Sequence, residues 1–179
     1  MRTTAITVIA LVAGLVAGCS TTPPTPEAKD ELFQKAEAER KEWKNIAPDM
    51  EAFVRKHHGF VFFPEVTKAG AGFGGGYGRG IVYEQGQHIG YADLTQGSVG
   101  FQLGGQTYSE VIVFQDKDAM DRFKRNPLDF GAIASAVIAS NFAATNARFV
   151  DGVAVFIRPI TGAMAEATIA GQRTTYLPK

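Results

Sequence analysis

The residues of this chain best suited to chemistry are cations set among glycines. Lys68 stands just ahead of Ala69-Gly70, and Arg79 lies inside the run from Gly70 to Gly80, which holds seven glycines. Backbone amides without side-chain cover, next to a cation, form concave nests that bind phosphate groups. Arg55 and Lys56 lie a short way upstream and could join them. These four cations are the candidate site for an anionic headgroup. The competing reading is solvated cations on sheet edges, where positive charge discourages edge-to-edge pairing.

Other constellations carry less. Gly70, Gly72 and Gly75 keep the G-x-G-x-x-G spacing, but the following GYGRGIVY offers no helix whose N-terminus could hold a pyrophosphate. His57 and His58 are adjacent and would point to different faces of a helix, with no Cys, His or carboxylate at ligand spacing to complete a metal site. They read as satisfied surface histidines at a helix end. His88, Asp93 and Ser98 have the residue types of a hydrolytic triad, and nothing beyond residue type recommends them. The expectation is a non-catalytic protein without metal or cofactor.

The elements that position the cations follow a leader. Arg2, the apolar stretch Ala5 to Ala17 and the sequence Val16-Ala17-Gly18-Cys19 resemble the signal peptide and lipobox of a bacterial lipoprotein, with residues 1–18 removed. Cys19 is the only cysteine. At this place it reads as the acylated first residue, a membrane anchor, rather than an unpaired thiol. Ser20, where Asp would signal retention at the inner membrane, points to an outer-membrane, lipid-anchored protein facing the periplasm. Residues 19–26 form a Pro-rich tether that, at about 3 Å per residue, reaches roughly 20 Å.

Residues 27–179 read as one domain, with an N-terminal helix over 27–47 and a β-rich core over 48–179. A hydrophobic content of 45 % with 13 phenylalanines supports a real core. Equal numbers of basic and acidic residues, 18 each, leave no basic field for nucleic acid. Thr25 and Pro26 are the expected N-cap and first position of the helix. Leu32, Phe33, Ala36, Trp43, Ile46 and Ala47 keep its period, with Glu31/Lys35 and Glu37/Lys41 as i,i+4 pairs. Phe33 and Trp43 could enter lipid, or this face could dock on the sheet. Five basic against six acidic residues over 27–47 favour docking, because helices lying on membranes are rich in Lys and Arg. Asp49 to His57 reads as a second short helix using Met50, Phe53 and Val54.

From Gly59 onward the pattern is sheet. Each interior glycine costs a helix about 1 kcal/mol relative to alanine, whereas glycines among aromatic and β-branched residues suit bulged strands. Gln85-Gly86 and Gly104-Gly105 read as two-residue hairpin connectors. Around the second, Val99, Phe101 and Leu103 alternate with Ser98, Gly100 and Gln102. Asp116 caps a helix running through Phe123, with Ala119, Met120 and Phe123 inward, and Asn126-Pro127 stops it. Its cations Arg122, Lys124 and Arg125 are balanced by Asp116, Asp118 and Asp121. Ala132 to Ala144 leans towards extended structure. Val153–Ile157, Ala163–Ile169 and Arg173–Tyr176 read as three strands, with Ala170-Gly171 as a tight turn. No repeat of solenoid period is visible. The expected fold is α+β: an antiparallel, barrel-like or strongly curved glycine-rich sheet with N-terminal helices packed at one side.

Three blocks, FFPEVTKAGAGFGGGYGRGIVY, GSVGFQLGGQTYSEVIVF and GVAVFIRPITGAMAEATIAG, resemble in order the blocks of the SYLF domain family. HIGYADLTQ, from His88 to Gln96, departs from that family's Trp-Ser-x-Pro-like element. The resemblance implies a lipid-binding domain that recognises phosphoinositides or other anionic phospholipids. In yeast members it also implies actin binding, which a periplasm-facing lipoprotein would not meet. The lipid-site residues expected on this basis are Arg55, Lys56, Lys68 and Arg79, with Phe33 and Trp43 if the first helix inserts. The alternative is an envelope scaffold that recruits a protein or peptidoglycan partner without lipid preference.

Overall fold

The computed structural model describes residue 23 and residues 25–130, 137–138 and 147–179. The leader, Cys19 and most of Ala132 to Ala144 lie outside these residues. In order, the described elements are α1 (Pro26–Ile46), α2 (Met50–Lys56), β1 (Gly59–Glu84), β2 (Gln87–Phe114), α3 (Lys117–Arg125), β3 (Leu128–Phe130), β4 (Val137–Ile138) and β5 (Val153–Pro178). They form the expected α+β architecture. The sheet order is β1-β2-β5-β3, antiparallel throughout, and β4 adds a short parallel pairing to β5 at Val137↔Phe156.

Three very long strands do most of the building. β1 and β2 form one ribbon joined at Gln85-Gly86, where both residues have positive φ, 50° and 77°, and Glu84 pairs with Gln87. That connector is the expected hairpin. β5 then runs along nearly all of β2, from Gly90↔Pro178 to Phe114↔Val153. The sheet curls so that the second half of β1 lies against its own first half. A Cβ at Gly80 would stand 2.7 Å from the Phe63 ring and 3.0 Å from the Phe62 carbonyl, and one at Gly78 would stand 2.7 Å from Val66. Glycine is therefore what lets these two limbs close on each other.

Two expected turns are corrected. Gly104 and Gly105 lie inside β2, paired with Gly70 and Ala69 on one side and with Met164 and Ala163 on the other. Ala170 and Gly171 likewise pair with Ser98 and Gly97, inside a single β5 rather than between separate strands. At these places glycine serves the bend of continuous strands. The shift between Ala71↔Leu103 and Phe73↔Val99 leaves extra β2 residues at the bend, as a bulge does.

Alternation along the strands feeds two apolar cores. Phe62, Ile81, Tyr91, Val111, Val113 and Phe156 face α1 and α2. Val61, Phe63, Val82, Leu94, Ile112 and Phe114 face the inside of the curl, where Ala119, Met120 and Phe123 of α3 join them. The unbroken run Phe60 to Phe63 is apolar because both faces of the strand are covered. Capping follows expectation: Thr25 Oγ1 accepts from Ala28 N at 3.2 Å, and Asp116 Oδ1 accepts from Ala119 N at 2.9 Å. Glu31 pairs with Lys35 at 3.3 Å, but Glu37 pairs with Arg40 rather than Lys41.

Candidate functional site

α1 docks by its apolar stripe, and a buried polar network fixes it there. Leu32, Ala36, Glu39 and Trp43 share that stripe. Trp43 is 3 % exposed and donates its indole N–H to Ser109 Oγ at 2.6 Å. Ser109 in turn donates to Glu39 Oε1 at 2.6 Å, and Arg158 of β5 engages both Glu39 oxygens. Trp43 is therefore not available to a bilayer while α1 is docked, which corrects its placement among lipid contacts. Phe33 is half-buried, edge-on to His88 at 5.0 Å. Glu39 was absent from the sequence reading, yet its spacing from Leu32, Ala36 and Trp43 put a carboxylate on the apolar face and could have revealed it.

The four expected cations do not converge. Lys68 is 5 % exposed and, two residues beyond Val66, lies on the inner face. Arg79 is on the opposite face, beside Tyr77. Arg55 and Lys56 are exposed on α2, where Arg55 pairs with Glu51 at 3.0 Å. Neighbours in the chain were thus sent to opposite faces by the period of two and to separate elements by the curl.

Two clefts flank α1. The first, of about 550 Å³, lies between the N-terminal half of α1 and β1. Lys35 and Arg79 stand on its sides, and Gly75, Gly76 and Gly78 form a wall. Arg79 Nε donates to the Tyr77 hydroxyl at 2.7 Å, and that hydroxyl donates to Asp93 Oδ1 at 3.2 Å. Burial pushes the Asp93 carboxyl up to about 6, against the opposing pull of Tyr77 and Arg79. Lys35 is half-exposed and, among the described residues, held by Glu31 at 3.3 Å and Glu65 at 3.7 Å. The second cleft, of about 320 Å³, lies between α1, α2 and the start of β1. Its floor is apolar, with Met50, Val54, Phe60 and Phe62, and Arg40, Lys41, Lys44 and Arg55 stand at its rim. Arg40 is bound to both Glu51 oxygens at 2.9 Å.

Inside the curl the interior turns polar towards the bend. Gln96 Nε2 donates to Gln172 Oε1 at 2.8 Å, and Gln172 Nε2 donates to Glu110 Oε1 at 2.6 Å. Complete burial pushes the Glu110 carboxyl up to about 7, with the Gln172 bond opposing it. The histidines take local roles. His58 lies between Glu84 and Gln85 at 3.0 Å each, His57 Nδ1 is 2.8 Å from the Phe53 carbonyl, and His88 Nε2 is 3.0 Å from the Gly90 carbonyl. Asp93 meets Tyr77 rather than His88, so no triad forms from that pair. Among the described residues no three His, Cys, Asp or Glu side chains gather as metal ligands, and no helix is long and apolar enough to cross a membrane.

A curled glycine-rich sheet backed by docked helices defines this as an α+β domain with open clefts along α1 and the sheet. Residues 95–175 match the model of the Ysc84 family, described as Las17-binding protein actin regulator. Over these residues the chain is similar to that family, the SYLF family. The match runs from the middle of β2 through α3 to near the end of β5, and α1, α2 and β1 precede it. A comparison with curated proteins finds no match.

Proposed function

We propose that this domain is a non-catalytic module binding anionic phospholipid headgroups at a membrane surface, in a lipoprotein anchored through Cys19 to the outer membrane. The observation that carries it is the glycine-walled cleft with Lys35 and Arg79 on its sides. A phosphate there competes with the long, half-exposed pairs of Lys35, which are worth about 0–1 kcal/mol, and with the contacts of Arg79 to Tyr77 at 2.7 Å and Asp93 at 4.0 Å. At the second cleft it would have to displace the half-buried Arg40–Glu51 pair, in which one guanidinium nitrogen reaches both carboxylate oxygens at 2.9 Å and which is stronger than the pairs of Lys35. The link of SYLF domains to lipid and actin binding agrees with the lipid half of this reading, and a periplasm-facing domain meets no actin.

Charge reversal tests it. Lys35→Glu and Arg79→Glu should each abolish flotation with vesicles containing phosphatidylglycerol or cardiolipin while leaving the far-UV circular dichroism unchanged. If both variants float like wild type, the cleft is not the headgroup site. A second reading, recruitment of a protein partner, is favoured by the apolar floor and cationic rim of the other cleft. Lys44→Glu would weaken that association and leave vesicle binding intact.

A further inference from the structure

The three long strands lose nearly all their charges at the bend. Residues 69–78 of β1 and 94–109 of β2 contain no Asp, Glu, Lys or Arg, and residues 159–172 of β5 contain Glu166 alone. Across the chain one residue in five is charged, so this is a sharp local depletion. The register brings the three stretches together: Gly70 pairs with Gly104 and Gly104 with Met164, while Gly75 pairs with Gly97 and Gly97 with Gly171. They therefore make up one end of the folded sheet. Charges resume on either side of it, at Lys68 and Arg79 on β1, Asp93 and Glu110 on β2, and Arg158 and Arg173 on β5.

Phe73 stands at this end, 75 % exposed, flanked by glycines. Ala69, Ala71, Gly104, Gly105 and Thr161 are exposed there as well. A large aromatic side chain left in water at a charge-poor sheet end gains nothing from burial, which is what makes such a ring stabilising. The cleft holding Lys35 and Arg79 opens beside the same end, with Ala69, Gly75 and Gly76 among its lining residues. Cations thus stand where anionic headgroups would lie if the charge-poor end faced lipid.

We propose that the bend of the sheet is a membrane-entering tip, with Phe73 leading into the boundary between headgroups and acyl chains. This rests on the headgroup reading and adds the element that penetrates. Phe73 is five residues beyond Lys68, so at ~3.3 Å per residue the tip reaches at most roughly 17 Å past the charged level. That length fits one leaflet, since half of a ~30 Å hydrocarbon core is about 15 Å. Sheet edges carry unpaired backbone groups that need water or headgroup partners, so the tip rests near the interface rather than in the hydrocarbon centre.

Trp43, the only tryptophan and buried against Ser109, supplies an internal control for the test. Residues 20–179 hold every described element and both cores, and are mixed with phosphatidylglycerol vesicles whose acyl chains carry bromine near the headgroup. In Phe73→Trp the added fluorescence should be lost on these vesicles, while wild-type emission stays unquenched. Phe73→Asp should float about tenfold less well, with unchanged thermal stability. Flotation of Phe73→Trp without quenching, together with full binding of Phe73→Asp, would overturn the tip and leave the headgroup cleft standing. Failure of the wild type to float on any vesicle would overturn both.

Discussion

The two ends of the folded sheet are made from the same three strands and differ in what surrounds them. At the end near α3 each strand is covered on both faces, by α1 and α2 outside and α3 inside, and its residues are large and apolar in unbroken runs. At the bend the sequence becomes rich in glycine, with alanine, threonine and glutamine among the apolar residues, and Glu166 is the one charge left. One end accounts for stability. The other leaves Phe73 exposed to solvent, where it can meet a partner.

The comparison breaks most visibly at the network under α1. Removing either Glu39 or Arg158 as alanine leaves its partner as a buried, unpaired charge, so each variant should lose about 3–5 kcal/mol in urea unfolding. A loss below about 1 kcal/mol would mean that α1 is not fixed through this pair.

Glu110 gives the next effect, with a defined sign. Its carboxyl titrates near 7 when folded, above its ordinary value, so the folded state binds more protons than the unfolded one between the two. Stability from protonated Glu110 is present at low pH and is lost as pH rises towards and through 7, by an amount on the order of 3 kcal/mol. Asp93, raised to about 6, acts in the same direction over a lower window. Glu110→Gln should flatten the slope above pH 5 and exceed wild type in stability at pH 8. An unchanged pH profile would place Glu110 in water.

Gly80→Ala brings a methyl group against the Phe63 ring and the Phe62 carbonyl, and should cost about 1–3 kcal/mol as an overpacked core does. Gly97→Ala, at the bend, has open space around the added carbon and should change stability far less. Phe73→Ser is the smallest in stability, with no measurable shift of Tm, and affects membrane association alone. Equal losses for Gly80→Ala and Gly97→Ala would erase the contrast between the two ends.

Much of this architecture was legible in the sequence. Thr25-Pro26 and Asp116 announced helix starts through caps that satisfy bare N–H groups, and Met50, Phe53 and Val54 marked the buried face of α2. The strong curvature was legible in the glycine-rich pattern, but its passage through continuous strands was hidden, because a glycine pair suits a two-residue turn and a bend in a continuous strand equally well. Only cross-strand pairing, as at Gly104↔Met164, separates the two. The cation site was half legible. Arg79 does stand on a glycine wall, but Lys68 is turned to the inner face, and Lys35 reaches the cleft from a helix far away in sequence. Proximity along the chain is a poor guide where strands alternate and fold back.

Flotation of residues 20–179 with vesicles of phosphatidylethanolamine alone and with added phosphatidylglycerol, at low and moderate salt, tests the central claim most directly. The account predicts binding only when anionic lipid is present and weaker binding as salt screens the Lys35 and Arg79 cleft. Equal binding to both vesicle types, or none to either, would contradict it.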